Sequence, residues 1–248
     1  MRHSTLDAYA RSSRFHSLDP RMKFLSLLIL IIVTSFITSP VLLLLTLSFT
    51  LILLALSRVP VPHLVKHYGL ALPFICFSAL SLALTSGIMP AFSLYLRTST
   101  AVLLLLLLGS TTPFFELLRG LQGLHIPSTY IIMLFFIYRY IFIIWDELHR
   151  MEQARIARGH VQSGTLRNRH FLQTITGTAG MVLIRSYQRG IRSYRALLSR
   201  GFQGQIHTLR APTVNRRDFH FAFLMILFSS SIALLHFEVV PFEVIPYP

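Results

Sequence analysis

Long apolar runs dominate the first half of the chain, at residues 24–38, 41–56, 70–84 and 102–108 with its flanks. They are apolar all round, whereas a helix on a soluble surface carries a polar face. A bilayer core needs about 20 helical residues, with roughly 17 as the lower end. The runs sit near that lower end, so short membrane spans are expected. Of the 248 residues, 53% are hydrophobic, which fits a membrane protein better than one or two soluble domains. A cleaved signal peptide would bring an apolar core close to the N-terminus, but the first 23 residues are polar. That segment is expected to be retained.

Charge then sets the direction of each crossing. The net charge is +14, and in a membrane protein such an excess belongs to cytoplasmic segments rich in Arg and Lys. Arg2, Arg11, Arg14, Arg21 and Lys23 hold the N-terminus inside. Asp19-Pro20 is a helix start, with a capping carboxylate followed by a residue that lacks the N–H no partner awaits. Spans are expected at 23–38, 41–57, 68–86 and 94–109, with a break at Ser39-Pro40, an inner loop at 58–67 and an outer turn at 87–90. An amphipathic segment at 113–124 suits the inner interface. The last span is expected at 219–237. No Lys or Arg follows Arg217, so the tail, with Glu238 and Glu243, suits the outside.

Residues 128–145 have the hydropathy of a further span. A crossing there would carry the stretch 146–217, with thirteen arginines and no lysine, to the outside. That opposes the positive-inside tendency. The segment is therefore expected as the apolar half of one long helix, 128–158, lying at the interface or against a partner. A second long helix is expected from 169 to 200. Leu183, Tyr187, Ile191, Tyr194 and Leu198 form one stripe on it, and Arg185, Arg189, Arg192 and Arg195 another. The expected class is an all-α membrane protein of about five spans plus long cytoplasmic helices. Its parts are an N-terminal segment (1–22), four spans (23–112), a cytoplasmic and interfacial region (113–217), and the last span with a short external tail (218–248).

Both long helices run into Arg-Gly: Ala154-Arg155-Ile156-Ala157-Arg158-Gly159 and Ala196-Leu197-Leu198-Ser199-Arg200-Gly201. Glycine past a helix end takes the left-handed conformation freely, and a cation there meets the negative end of the helix dipole. One such end is ordinary. Two of them, each behind small residues at helical spacing, suggest more. Ala154 and Ala157 leave room for another backbone, and a guanidinium beside that gap can grip a partner carboxylate with two parallel bonds. Lysine lacks that geometry.

Other chemistries find no support in the sequence. It has no phosphate-binding G-x-x-x-x-G-K-[ST] loop, no H-E-x-x-H and no G-x-S-x-G, so no catalytic residues are assigned. Cys76 is the lone cysteine, which excludes a disulfide and a Cys-based zinc site. His63 and His67 are four apart but lack a carboxylate or thiol companion. Met1-Arg2-His3 has the form of an amino-terminal Ni(II) or Cu(II) chelate, a short pattern that chance also supplies. No metal ligands are assigned. The arginines interleave with an apolar stripe that suits a protein partner, so a membrane-anchored nucleic-acid binder ranks last. An autonomous secondary transporter would need broken or polar helices at mid-membrane, and the Gly/Pro interruptions fall mainly between spans.

The N-terminal Ala8-Tyr9, Ser13 and His16-Ser17-Leu18-Asp19-Pro20-Arg21-Met22-Lys23 resemble the start of the transmembrane T components of energy-coupling-factor transporters, closest to the CbiQ-type cobalt/nickel branch. Ala154–Gly159 and Ala196–Gly201 are similar to that family's paired Ala-Arg-Gly signatures, with Ser199 where the family usually has Ala. The resemblance covers about residues 8–237. It implies a non-catalytic coupling subunit in a bacterial or archaeal cell membrane. Two ATP-binding-cassette subunits, expected as a homodimer, would receive Ala154, Ala157, Arg158, Gly159, Ala196, Ser199, Arg200 and Gly201. ATP and Mg would sit on those partners and no cofactor on this chain. A separate substrate-capture membrane protein would meet the membrane part, with Phe135, Phe136, Arg139 and Trp145 as its contacts. Cobalt or nickel is the substrate implied, and a vitamin the alternative.

Overall fold

The computed structural model describes residues 19–57, 59–124, 126–159, 169–202 and 216–239. The described residues are helical with short connections: α1 (Pro20–Phe36), α2 (Pro40–Ser57), α3 (Val61–Ser86), α4 (Ile88–Thr111), α5 (Phe114–Gln122), α6 (Ser128–Ala157), α7 (Arg169–Ser199) and α8 (Arg216–Val239). The chain divides into two compact units. One comprises Met1–Leu124 with Arg210–Pro248, the other His125–Leu209.

The first unit holds α1 to α5 and α8. Helix α4 packs against α1, α2 and α3, and α1 packs against α4, α5 and α8. Leu27, Leu30, Leu53, Leu104, Leu107 and Met225 form the main apolar cluster, and Ile37, Leu43, Leu96 and Ile232 a second. The interior is otherwise small and hydroxylated. Thr34, Thr46, Thr50, Thr100 and Thr111 are fully buried. Their hydroxyls donate back to carbonyls three or four residues earlier, at 2.7–2.8 Å. Meanwhile Leu51, Ile52 and Leu56 of α2 are half exposed. Small residues inside and large apolar ones outside is how membrane helices pack, since lipid solvates the leucines and close backbone approach supplies the cohesion.

Five of the described helices are long and apolar enough to cross a membrane: α2, α3, α4, α6 and α8. Helix α1, expected as a span, has 17 residues, about 26 Å at 1.5 Å per residue and the lower end of a crossing. Helix α6, expected along the interface, has the length and composition of a span.

Several boundaries differ from the sequence expectation. The connection expected at 58–67 is helical from Val61, because Pro60 and Pro62 suit a helix start and end at the first turn. Pro73 lies inside α3. The turn expected at 87–90 is Gly87 alone, whose φ of +98° lets α3 stop and α4 begin at once. The segments 1–18, 160–168, 203–215 and 240–248 lie outside the described residues, and with them the chelate expected at Met1-Arg2-His3, most of the linker after Gly159, and Glu243. Nothing is described of the Glu238 side chain.

At one end of the first unit a buried polar knot ties three elements together. Asp19 caps α1, its Oδ1 accepting the Arg21 N–H at 2.9 Å. The Asp19 N–H donates to Oδ1 of Asp218 at the start of α8, 3.0 Å away. Lys23 Nζ donates to Thr111 O at 3.4 Å and Thr112 Oγ1 at 3.2 Å, where α4 ends. Helix α5 crosses the start of α1 at Gly120, where a Cβ would come within 3.3 Å of the Pro20 and Arg21 backbone.

Candidate functional site

The second unit is the pair α6 and α7 with the two Arg-Gly ends. The helices run antiparallel, as their cross-links show. Arg155 Nη1 donates to Thr178 Oγ1 at 2.9 Å. Glu147 pairs with Arg185 and, at 3.4 Å, with Arg189 Nη2. Further along, residues 132–144 of α6 and 190–197 of α7 line a common groove. So Arg185 and Arg189, expected in a separate arginine stripe, turn toward α6 and its carboxylate. Leu183 and Tyr187 of the expected apolar stripe are 72% and 70% exposed. A pair this short of internal packing leaves apolar surface for lipid or a partner.

Both Arg-Gly ends are built by the same local chemistry. Arg158 follows the last helical residue of α6, and Gly159 has φ +80°. The Gly159 N–H donates to Ile156 O at 2.9 Å. At the end of α7, Gly201 has φ +74°. Its N–H donates to Leu198 O and the Phe202 N–H to Leu197 O, each at 3.0 Å. These are the bonds of a glycine helix stop, which satisfies carbonyls that would otherwise end unpaired. Arg158 and Arg200 are thus cap residues, one place beyond the last turn.

Ala154, Ala157, Arg158 and Gly159 are exposed, as are Ala196, Ser199, Arg200 and Gly201. Each set places two small residues four positions and one position before its arginine; three apart from each other, they share one helical face. Neither Arg158 nor Arg200 has a side-chain hydrogen bond or ion pair among the described residues. Arg155, inside the first motif, is instead turned onto Thr178. Because the helices are antiparallel, the arginines lie at opposite ends of the pair. Phe202 shares a groove with Ile132 near the start of α6, and Arg158 follows the other end. At 1.5 Å per residue, the ends are on the order of 35–40 Å apart along α6.

The groove has a volume of about 610 Å³ and is lined almost wholly by apolar atoms, among them Ile132, Phe136, Tyr140, Tyr194, Leu197 and Phe202. A narrower cleft of about 150 Å³ adjoins it at Glu147, Val182 and Arg185. Of the four aromatic and basic contacts expected on α6, Phe136 lines the groove. Phe135, Arg139 and Trp145 do not. Phe135 meets the Phe136 ring edge-on at 5.8 Å, Arg139 is exposed, and Trp145 lies 5.1 Å from His149. The four positions spread around the helix instead of sharing a face. The α7 side of the groove, with Phe202, was not anticipated. Among the described residues no three His, Cys, Asp or Glu side chains come together as a metal site, His67 included.

Residues 11–209 match the family described as CbiQ, cobalt transport protein. The chain is 23% identical over its full length to an uncharacterised protein of Methanocaldococcus jannaschii, covering 98% of that relative. It is 30% identical over 120 residues to a cobalt transport protein of Rhodobacter capsulatus, which spans 48% of this chain and 47% of the relative. It is also 32% identical over 108 residues to a putative fused cobalt transport protein of Methanocorpusculum labreanum, 44% of this chain and 17% of that longer protein. The chain belongs to the CbiQ family of cobalt transport proteins, the multi-pass, non-catalytic T components that perform the coupling role in energy-coupling-factor transporters.

Proposed function

We propose that this chain carries motion from a closing pair of ATP-binding-cassette subunits to a substrate-capture membrane protein, in the uptake of cobalt or nickel ions. Arg158 and Arg200 are the contacts with the ATPases, one on each. The observation that carries this reading is their arrangement: two exposed arginine caps on glycine stops, at opposite ends of one antiparallel pair. A symmetric ATPase dimer offers two equivalent sockets well apart, and two like pegs far apart suit it. The small residues before each arginine let a socket wall come close. Arg2, Arg11, Arg14, Arg21 and Lys23 support an inward N-terminus, and the arginine content of 146–217 supports a cytoplasmic place for α7 and the polar end of α6.

The capture protein sits on the apolar groove side of α6, with Phe136 at its centre. The Methanocorpusculum relative is described as a fusion, and this chain matches a small part of it, which agrees with a T component working beside a second component. The family description supports a cobalt-type substrate.

The test is co-expression with the partner subunits. Truncating one arm of an interfacial ion pair costs about 2 kcal/mol or more, roughly 30-fold in affinity. Arg158→Ala and Arg200→Ala are each expected to weaken ATPase co-purification by about that factor, and the double variant to stop ATP-driven Co²⁺ uptake while still inserting in the membrane. Wild-type uptake by the double variant refutes the reading.

A further inference from the structure

Arg200 and Phe202 are two arms of one turn. Gly201, at φ +74°, stands between them, and two hydrogen bonds to Leu198 and Leu197 fix the turn. In such a stop the residue after the glycine folds back on the helix it has just left, often with an apolar contact to the residue five places before it. Here those two residues are Phe202 and Leu197, and both line the α6–α7 groove. Arg200 is exposed on the same cap, while Phe202 is half buried. The side chain that faces outward and the ring inside the groove therefore belong to a single rigid corner.

The groove is the weakly tied part of the pair. The bonds from Arg155 to Thr178, and from Arg185 and Arg189 to Glu147, lie further along. The Phe202 end is lined by apolar side chains. Ile132, Phe136 and Tyr140 from α6 share that space with Tyr194, Leu197 and Phe202. Turning the cap carries the ring across this space, and a packed apolar interface answers such a shift by repacking. The two Arg-Gly ends differ in sequence at this position. His160 follows the first glycine in sequence and Phe202 the second.

We propose that Phe202 is a positioning residue: it converts engagement of Arg200 by an ATPase into a change in the width of the α6–α7 groove, so that the second Arg-Gly end transmits the stroke. This rests on the reading of Arg200 as an ATPase contact. It goes beyond that reading in assigning transmission to the corner and its ring, apart from docking.

The experiment uses the whole complex, with Phe202→Ala and Phe202→Leu compared against Arg200→Ala in membrane vesicles. Residues that carry coupling without touching a ligand shift it by about 3- to 30-fold. Phe202→Ala is expected to keep the ATPases bound and hydrolysing ATP but to lower Co²⁺ uptake per ATP hydrolysed by that factor. Phe202→Leu, which refills the groove with apolar volume, is expected to restore most of it. Undiminished uptake per ATP in Phe202→Ala overturns the proposal. So does equal loss in Phe202→Ala and Phe202→Leu, or loss of ATPase binding in both. ATPase retention by Arg200→Ala would instead sink the docking reading, an outcome separate from the Phe202 result.

Discussion

Lys23 is only 2% exposed and Asp218 equally so, yet both stay in an interior made mostly of leucine and threonine. Charges persist there only when the surrounding polar groups compensate them. Lys23 has the end of α4, through Thr111 and Thr112, and the fields of Glu116 and Asp218. Asp218 also accepts the Asp19 N–H. Charge and hydrogen bond can be separated at position 218. Asp218→Asn keeps an oxygen for the Asp19 N–H and removes the charge. Asp218→Ala removes both and strands a buried donor. The alanine variant is expected to lose about 3 kcal/mol of stability and the asparagine variant about 1 kcal/mol, read from thermal unfolding in detergent. Equal losses would show that the hydrogen bond to Asp19 contributes nothing. The Asp19-Pro20 half of this knot was legible in the sequence, because capping is local chemistry. Its partner lies 199 residues away, and nothing near Asp218 marks which helix start it meets.

At the level of elements, the glycines of the second unit divide into two kinds by backbone angle. Gly159 and Gly201 hold positive φ, whereas Gly177 and Gly180 lie inside α7. A Cβ added at any of the four would meet nothing within 4 Å. Sterics therefore drop out and the backbone alone decides the sign. Gly201→Ala forces an L-residue into the left-handed region and is expected to destabilise the cap by about 1 kcal/mol. Gly177→Ala and Gly180→Ala remove freedom only from the unfolded chain and are expected to stabilise α7 by about 0.5–1 kcal/mol each. Thermal unfolding of the three variants checks this, and a stabilised Gly201→Ala would refute the cap geometry. The extents of α6 and α7 and both glycine stops could be read from the sequence, since periodicity and end signals are carried by neighbouring residues. Which face of α7 meets α6 could not. The stripe through Leu183 and Tyr187 is the more apolar, yet Val182, Arg185, Ser186 and Arg189 line the α6 side. Glu147 draws its two arginines inward, and that attraction crosses between helices.

For the whole molecule, hydropathy and charge point in different directions at one place. By length and composition α6 qualifies as a span, while α1 falls one residue below the 18 of α2. Yet α1 buries Lys23, Ser26, Leu27, Leu30 and Thr34, the last three at 0–1% exposure, and it joins α4, α5 and α8. Helix α6 buries little beyond Ile131. If α6 crosses in place of α1, the Gly87 turn moves to the side of the N-terminal basic segment and α7 keeps its side, whereas if both cross, the arginines of α7 lie opposite that segment. If α1 crosses and α6 does not, α7 stays with the N-terminal basic segment, as the positive-inside tendency favours. The difference is measurable because Cys76 is the lone cysteine and Cys76→Ser gives a silent background. Ser86→Cys, beside the Gly87 turn, and Gln188→Cys, on the exposed side of α7, then report the two faces to a membrane-impermeant maleimide. Ser86→Cys is expected to react in intact cells, and Gln188→Cys only after permeabilisation. Reaction of Gln188→Cys in intact cells would put α7 outside, out of reach of any cytoplasmic ATPase, and would leave Arg158 and Arg200 to the plain role of capping their own helices.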